Sequence, residues 1–340
     1  MNTELLSPTS EALARAGELL RAGEVVAFPT ETVYGLGANA LDAAAVEKIF
    51  AAKGRPGDNP LIVHIAEAND LAPLIACEPS ARARALMDAF WPGPLTLIFP
   101  KSAAVPSRVT AGLDTVAVRM PEHPVAQALI RTSGVPIAAP SANRSGRPSP
   151  TTAADVLEDM AGRVPLILDG GPCRVGVEST VVDLKGDTPR VLRPGGVTRA
   201  QIEAVASACE VDHAVLHPLG DGEKPRSPGM KYKHYAPRGE VTVFRGKKAV
   251  ENIIRRYDAA QNALILALEG NLPRYGSRRC LSLGPDAQSM AANLFHSLRE
   301  ADRMGAQTIL CESVESVGVG LAVMNRLLRA AAFRVVDCED

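Results

Sequence analysis

Two arrangements of apolar residues recur along the chain, one with a spacing of three to four residues and one of short continuous runs. Leu13, Ala16 and Leu20 follow Ser10 at the first spacing, which predicts an amphipathic helix capped by Ser10. Residues 24–28, EVVAF, form a short apolar run of the kind that occurs in buried strands. The N-terminal region is therefore expected to combine helices and strands.

The same succession repeats through the first two thirds of the chain. Asp42 can cap a second helix, which is expected to end at Gly54 and Pro56. Further strands are predicted at residues 60–65, 95–99, 115–120, 135–139, 165–169 and 179–184, and further helices near residues 80–90, 123–132, 151–160 and 198–208. Short apolar strands separated by helices favour an α/β fold with a twisted mixed sheet and flanking helices.

The regular pattern lapses at residues 209–238, whose second half is rich in Pro, Lys and Tyr. Beyond it, strands are predicted at residues 240–244, 263–269 and 308–312, and helices near residues 247–260, 285–304 and 317–333. This alternation resembles a small doubly wound, Rossmann-like α/β domain. We expect an N-terminal domain at residues 1–208, a linker at 209–238 and a C-terminal domain at 239–340.

Composition agrees with two soluble domains. The chain has 340 residues, and a single hydrophobic core stops growing at roughly 250–300 residues. Its net charge of -1 excludes an overall basic field that would bind nucleic acid or anionic membrane without specificity. We find no secretory leader and no run of about 18 apolar residues, so a cytoplasmic enzyme is expected. Six cysteines lie far apart without a C-x-x-C pair, which favours reduced, mostly buried thiols over zinc ligands.

Two segments near the N-terminus can carry chemistry. Residues 29–37, PTETVYGLG, follow a strand end, where α/β proteins often bind ligands, and their glycines would let the backbone approach one; a polar turn is the alternative. In residues 53–61, KGRPGDNPL, Lys53 and Arg55 stand at a helix end. A point charge beside a planar guanidinium suits a polyphosphate, but cations also cap helix C-termini. At this stage both interpretations remain open.

Further polar segments follow other predicted strands. Residues 139–150 hold three Ser, one Asn and two Arg in a loop stiffened by Pro, which suits phosphate oxygens. Residues 176–180 open a strand, residues 192–196 end one, and Arg119 lies near the end of another. No Ser/His/Asp or Cys/His arrangement is evident, and the standard dinucleotide and P-loop motifs are absent. These segments therefore indicate a binding and positioning site.

In this order and spacing, the motifs PTETVYGLG, KGRPGDNPL with His64 just beyond, AVRMP, APSANRSG, EST and LRPGG resemble those of the YrdC-like family. The likeness covers residues from about 10 to 205. Residues 227–238 and the terminal α/β domain are similar to the longer, two-domain branch of that family. The resemblance implies a twisted mixed sheet with flanking helices and the activity of a threonylcarbamoyl-AMP synthase.

The implied reaction joins L-threonine, bicarbonate and ATP into L-threonylcarbamoyladenylate and pyrophosphate, with Mg²⁺ entering as the ATP complex. The adenylate would pass to a transferase that modifies the adenosine beside the anticodon of tRNA. This chain would then need neither direct tRNA binding nor a membrane.

The resemblance also implies roles for single residues. Lys53 and Arg55 would neutralise phosphate charge during the reaction. The nucleotide side would comprise Lys53, Arg55, Asn59, Thr115, Ser141, Asn143, Ser149 and Arg193. The threonine side would comprise Thr32, His64, Arg119, Ser179 and the backbone near Ala139.

Three alternatives accompany this interpretation. Residues 227–238, including Tyr235, could fold over the site as a lid or serve only as a stiff tether. A non-catalytic RNA-binding module is disfavoured by the 4% aromatic content and the absence of RNA motifs. A carbamoyl-phosphate-using domain of hydrogenase maturation would require acylphosphatase and zinc-finger modules, and the sequence contains neither.

Overall fold

The computed structural model describes residues 2–217 and 235–339. These residues divide into two compact units. The first contains residues up to 217 except for two short segments, 146–148 and 175–177. The second contains those two segments together with residues 235–339.

The first unit is a mixed sheet with helices. Its strands are β1 (Glu4–Leu6), β2 (Val26–Phe28), β3 (Gly35–Asn39), β4 (Ile62–His64), β5 (Leu95–Pro100), β6 (Thr115–Arg119), β7 (Ile137–Ala139), β8 (Leu166–Leu168), β9 (Thr180–Asp183), β10 (Arg190–Arg193) and β11 (Glu210–Val211). Its helices are α1 (Ser10–Arg21), α2 (Ala43–Lys53), α3 (Ala81–Phe90), α4 (Ser107–Thr110), α5 (Pro124–Ser133), α6 (Ala153–Met160) and α7 (Arg199–Ala206). Short 3-10 helices lie at Ala68–Leu74 and His213–Val215.

The strand order of this sheet is β1-β8-β2-β3-β7-β4-β6-β5-β9-β10-β11. At its centre, β4 runs parallel to β6 and antiparallel to β7. Farther along, β5 is antiparallel to β6 and parallel to β9. Apolar side chains on its faces form buried clusters, which hold the central strands in register. The predicted twisted mixed sheet with flanking helices is confirmed.

Local signals define α2 closely. The Asp42 carboxylate accepts hydrogen bonds from the backbone N–H groups of Ala44 and Ala45, so it caps the helix as predicted. Gly54 ends the helix in the left-handed conformation with φ of 61°. At α1 the cap is Thr9, one residue before the predicted Ser10, because the Thr9 hydroxyl accepts from Ala12 N.

Five short strands escaped the sequence prediction: β1, β3, β11, and the strands at Cys280–Ser282 and Val335–Asp337. The most consequential is β3, because residues 35–37 were predicted to belong to a loop. They pair instead with β2 and β7. Regular structure also continues into the predicted linker, where β11 pairs with β10.

The second unit is a five-stranded, entirely parallel sheet. Its strands are β12 (Glu240–Arg245), β13 (Ala263–Ala267), β14 (Cys280–Ser282), β15 (Thr308–Glu312) and β16 (Val335–Asp337), in the order β14-β13-β15-β12-β16. Its helices are α8 (Ala249–Asp258), α9 (Ala287–Arg303) and α10 (Val319–Ala330), with a 3-10 helix at Glu269–Tyr275. α8 packs against β12, β13 and β15, and α9 pairs with α10. The predicted small Rossmann-like α/β domain is confirmed.

Two chain-wide properties complete the description. Within the described ranges, none of the helices combines the length and apolarity that a bilayer span requires. All six cysteines are free thiols, and four of them, Cys173, Cys209, Cys311 and Cys338, are buried, as the sequence predicted.

Candidate functional site

Lys53, the last residue of α2, is buried, and its ammonium group crosses to the loop after β7. Its Nζ donates to the carbonyl oxygens of Ser141 at 2.5 Å and Asn143 at 2.7 Å. A lysine that only capped α2 would stay near the carbonyls of its own last turn. The structure therefore favours a role for Lys53 in joining α2 to the loop at residues 140–150.

Arg55 and Asn59 lie in the turn that leads from α2 to β4. The guanidinium of Arg55 donates to the backbone carbonyl of Asn59 at 3.2 Å, which curls the turn back on itself. The Asn59 side chain is 1% exposed, and within the described part of the chain neither its amide nitrogen nor its amide oxygen has a hydrogen-bond partner. Because an unsatisfied buried amide costs about 1–3 kcal/mol, this side chain is suited to pairing with a bound ligand.

The loop at residues 140–150 is held by internal hydrogen bonds. The Ser141 hydroxyl donates to the Asn143 side-chain oxygen at 2.5 Å, and the Asn143 amide nitrogen donates to the Arg144 carbonyl at 2.8 Å. The Ser149 hydroxyl donates to the buried carboxylate of Glu178 at 2.6 Å. These bonds fix the hydroxyl and amide groups before any ligand arrives.

A second cluster centres on Arg119, at the end of β6. Its Nη2 forms an ion pair with Glu31 Oε1 at 2.6 Å, its Nη1 donates to the Thr32 hydroxyl at 2.9 Å, and its Nε donates to the Gly93 carbonyl at 3.2 Å. Burial by itself raises the pKa of Glu31, but the adjacent charge and hydrogen bond of Arg119 lower it further than burial raises it. Glu31 is therefore ionised, and the pair is a fixed, buried pair of opposite charges.

His64, at the end of β4, belongs to the same cluster. Burial, together with the charge of Arg119, lowers its pKa to about 3, so the imidazole is neutral near pH 7. Its Nδ1 lies 3.3 Å from the Ile137 carbonyl. If that nitrogen carries the proton, as a bond to a carbonyl requires, Nε2 is an acceptor for a ligand amine or hydroxyl.

Ser179 and Arg193 meet where β9 begins and β10 ends. Arg193 donates from Nε to the Ser179 carbonyl at 3.1 Å and from Nη2 to the Ser179 hydroxyl at 3.1 Å. That hydroxyl also lies 2.7 Å from the Thr96 hydroxyl. Arg193, predicted on the nucleotide side, therefore contacts a residue predicted on the threonine side.

Strand direction explains which residues come together. Since β4 and β6 are parallel, with His64 opposite Arg119, their carboxyl ends bring these two side chains to one edge. The opposite ends of the same strands carry Asn59, three residues before β4, and the half-buried Thr115, the first residue of β6.

The end of β7 lies at this second edge, because β7 is antiparallel to β4 and Ala139 is opposite Ile62. Ala139 therefore lies next to Ser141 rather than beside His64. Ala139 was predicted to hold threonine, but this topology places it at the same sheet edge as Asn59 and not at the edge of His64 and Arg119.

The glycines of residues 29–37 have a structural role that sequence reasoning missed. A Cβ atom on Gly37 would lie 2.6 Å from Ile137 Cγ2 and 2.8 Å from the Phe28 ring. A Cβ atom on Gly35 would also crowd that ring, at 3.2 Å. Both glycines are therefore explained by strand packing, and the predicted approach of a ligand is not needed to account for them.

Sequence reasoning also left three contacting residues unassigned. They are Glu31, Thr96 and Glu178. Glu31 and Glu178 stand inside the motifs PTETVYGLG and EST, and a carboxylate flanked by residues expected to be buried was the available signal. Thr96 is the second residue of the apolar strand β5, and nothing in the sequence distinguishes it from a packed residue.

The proposed lid falls mostly on residues 218–234, which lie outside the described residues. Tyr235 is described: it is 5% exposed, has φ of 63°, and its ring centroid lies 5.0 Å from that of Phe295 in the second unit. A lid function stays a prediction.

No group of three or more His, Cys, Asp or Glu side chains among the described residues is arranged to hold a metal ion. The polar groups that do converge are amides, hydroxyls and cations, with two carboxylates, Glu31 and Glu178, that are already paired with Arg119 and Ser149.

Comparison with known proteins adds to this geometry. The family described as "Telomere recombination" matches residues 18–195, and the family described as "Threonylcarbamoyl-AMP synthase, C-terminal domain" matches residues 197–332. The threonylcarbamoyl-AMP synthase of Bacillus subtilis is 50% identical over 339 residues, which cover 98% of this chain and 97% of that protein. The chain belongs to the threonylcarbamoyl-AMP synthase family.

Other relatives agree with this assignment. The threonylcarbamoyl-AMP synthase of Pyrococcus abyssi is 49% identical, with 94% of each chain covered. The crystal structure of Sua5 from the same organism in complex with L-threonine matches with a TM-score of 0.91 and 46% identity, over 99% of both chains. The family and the enzyme class that the sequence motifs predicted are confirmed.

Proposed function

We propose that this protein makes L-threonylcarbamoyladenylate and pyrophosphate from L-threonine, bicarbonate and ATP. The observation that carries the proposal is the division of polar groups between the two ends of the β4–β6 strand pair. One end has Lys53 and Asn59 near the loop at residues 140–150, and the other has Arg119 and His64. Two chemically different substrates require such a division.

The first chemical step forms a carbamate. The uncharged amine of threonine and bicarbonate yield the carbamate and water, with a new N–C bond and loss of a C–O bond. A neutral His64 supports this step, because its free ring nitrogen can accept a hydrogen bond from the amine and orient its nitrogen toward bicarbonate. Arg119 is proposed to attract the threonine carboxylate while Glu31 and Thr32 fix the guanidinium.

In the second step a carbamate oxygen attacks the α-phosphorus of ATP, and the bond to the leaving pyrophosphate breaks. No side-chain nucleophile is required. Lys53 and Arg55 are proposed to stabilise the charge that develops on the departing phosphates. Mg²⁺ enters with ATP as part of the substrate, bridging phosphate oxygens.

The remaining predicted residues divide between the two substrates. Asn59, Thr115, Ser141, Asn143 and Ser149 are proposed for the nucleotide, with Arg193 reaching from the neighbouring strand end. Thr32, His64, Arg119 and Ser179 are proposed for threonine, with the backbone at Ala139 near the point where the two substrates meet. The adenylate would then be handed to a transferase that modifies tRNA, without a requirement that this chain bind tRNA.

Pyrophosphate release by the purified protein tests the reaction. Release is expected only when ATP, Mg²⁺, bicarbonate and L-threonine are all present, and a Lys53→Ala/Arg55→Ala double variant is expected to lose it. A Lys48→Ala/Arg84→Ala variant is the matched control, because it removes two exposed cations that pair with Glu24 and Glu78. Release that is independent of threonine or bicarbonate, or equal in both double variants, would refute the proposed function.

A further inference from the structure

The second unit contains a crevice that the proposed reaction does not use. It has a volume of about 600 Å³, which is within the range of small-molecule sites. Its walls come from the segments that follow β12, β13 and β15, so it opens at the carboxyl edge of the parallel sheet. This is the edge at which doubly wound folds bind their ligands.

The strand order places this crevice at a reversal of the chain's path. β12 and β15 are neighbours, and Phe244 pairs with Glu312 at their last shared position. The chain leaves β12 through α8 toward β13 and leaves β15 through α10 toward β16, in opposite directions across the sheet. Right-handed crossovers place the two helices on opposite faces. The two connections diverge and open a gap between the strand ends, which is the geometry of a topological switch point.

A buried carboxylate forms part of the crevice wall. Glu312 is 3% exposed, and its oxygens accept hydrogen bonds from the Tyr275 hydroxyl at 2.5 Å, the Leu268 N–H at 3.0 Å and the Asn271 amide at 3.1 Å. A carboxylate can accept about four hydrogen bonds. One acceptor position of Glu312 therefore remains for a hydroxyl or amine of a ligand.

Cationic groups lie on the α8 side of the crevice. Lys247 is exposed in the turn between β12 and α8, and no ion pair of Lys247 occurs among the described residues. Arg274 lines the same wall and is already paired with Glu251 at 2.6 Å. The N-terminus of α8 has no side-chain cap, and of its first residues the Ala249 N–H already donates to the Gly246 carbonyl at 3.1 Å.

Two exposed carboxylates, Glu315 and Glu339, line the part of the crevice that follows β15 and β16. The crevice is therefore not a simple basic patch that would attract any anion. Its charge is divided: the α8 side carries Lys247, helix N–H groups and the Arg274–Glu251 ion pair, and the side that follows β15 and β16 carries carboxylates without cations of their own among the described lining residues. A ligand that fits both parts carries an anionic group at one end and hydrogen-bond donors along its length.

We propose that the crevice at the carboxyl ends of β12, β13 and β15 binds a ribose phosphate ligand of nucleotide size. Its phosphate lies at Lys247 and the first turn of α8, where N–H groups and the helix dipole favour an anion. A ribose hydroxyl donates to Glu312. The crevice is lined by residues of the second unit, whereas the residues proposed for the reaction belong to the first, so we assign it to recognition or regulation.

Hydrogen exchange of the full-length protein, read by mass spectrometry on peptides spanning residues 243–251, tests the proposal. The probes are AMP, ribose 5-phosphate and inorganic phosphate. AMP and ribose 5-phosphate are expected to slow exchange in these peptides at concentrations where inorganic phosphate does not. Comparison of the two organic probes tells whether the base adds affinity.

Lys247→Ala is expected to raise the half-saturating concentration about tenfold, because a charge-assisted phosphate contact is lost. The control is Arg255→Ala, an exposed change on the same helix away from the crevice, which is expected to leave it unchanged. Glu312→Gln is expected to weaken the binding of AMP and of ribose 5-phosphate. Thermal unfolding of the variant is measured first, to show that it is folded. Because Lys247 is exposed, Lys247→Ala is expected to fold. It therefore tests the proposal even if Glu312→Gln does not fold.

Absence of protection by AMP and ribose 5-phosphate would overturn the proposal. Equal protection by inorganic phosphate, or unchanged half-saturation in Lys247→Ala, would also overturn it. Hydrogen exchange is measured in residues 243–251 of the second unit. The experiment therefore distinguishes binding at this crevice from binding at the proposed nucleotide site of the first unit. Failure of the pyrophosphate assay would therefore leave this result standing, and failure here would leave the proposed reaction intact.

Discussion

Arg119 and Glu31 form an ion pair with 2.6 Å between Nη2 and Oε1, and each side chain is only 4% exposed. Burying both charges is costly unless each is compensated. The Thr32 hydroxyl and the Gly93 carbonyl accept hydrogen bonds from Nη1 and Nε of the guanidinium, and among the described residues Nη2 is compensated by the ion pair alone. Glu31 thereby fixes the orientation of the arginine that we propose for the threonine carboxylate.

Glu31→Gln is therefore expected to impair threonine use selectively. The change keeps the size of the side chain and removes the charge that holds Arg119. We expect kcat/KM for threonine to fall about tenfold to a hundredfold, the range for losing one charge-assisted bond, with the KM for ATP unchanged. Steady-state pyrophosphate release measures both constants. The control is Glu122→Gln, which changes an exposed carboxylate paired with Arg174. If Glu31→Gln affected the constants for threonine and ATP equally, the assignment would be contradicted.

Asn59→Leu separates stability from binding. Because the buried Asn59 amide has no partner in the described structure, replacing it with an apolar group of similar size is expected to stabilise the protein by about 1 kcal/mol. The same change removes the contact that we propose between Asn59 and ATP, so the KM for ATP is expected to rise about tenfold. Denaturant unfolding and initial rates are the measurements. A destabilised variant with normal ATP kinetics would show that Asn59 serves the fold instead.

The neutral state of His64 gives stability a distinct pH dependence. Its pKa is about 3 in the folded chain and 6.5 without the fold, so between these values the unfolded chain binds the extra proton. Stability from this group is complete above pH 6.5 and declines as pH falls toward 3. Relative to His64→Asn, the wild-type protein is expected to lose about 2 kcal/mol between pH 6.5 and pH 5.

Fluorescence of Trp91, the one tryptophan of the chain, follows unfolding of the first unit in this experiment. His296→Asn, an exposed change in the second unit, serves as the control and is expected to retain the wild-type slope. Parallel stability curves for the wild type and His64→Asn would show that His64 does not titrate in this way.

Gly195→Ala tests whether the backbone position of Ser179 depends on close packing against Gly195. A Cβ atom on Gly195 would lie 2.3 Å from Thr180 N and 2.4 Å from the Glu178 carbonyl oxygen, so the backbone before β9 must move. We expect a melting temperature several degrees lower and weaker threonine-dependent activity, because Ser179 moves with that backbone. Gly270→Ala is the control, since its Cβ atom would meet nothing within 4 Å. Equal melting temperatures for the two variants would contradict the expected clash.

Features that depend on neighbours in sequence were predictable. The caps of α2 are set by Asp42 and Gly54, which act within a few residues of the backbone they satisfy. The strands β4, β6 and β9 were evident as apolar runs, so the residues that follow or end them could be grouped at sheet edges.

Features that depend on tertiary contact were not predictable. β3 was read as a loop, because its two glycines suit a turn until the Phe28 ring beside them is known. The pairing of Glu31 with Arg119 joins positions 88 residues apart, and no local pattern implies it. The carbonyl partners of Lys53 are equally distant in sequence.

The parallel register of β4 with β6 has a consequence for how such a site can change. Thr115 and Arg119 begin and end one strand, which sets them roughly 13 Å apart by the rise of an extended chain. That distance is set by the hydrogen-bonded backbone of the strands and does not depend on their side chains. Substitutions can therefore alter the chemical groups at either end, whereas only an insertion or deletion within the strands would alter the distance between those groups.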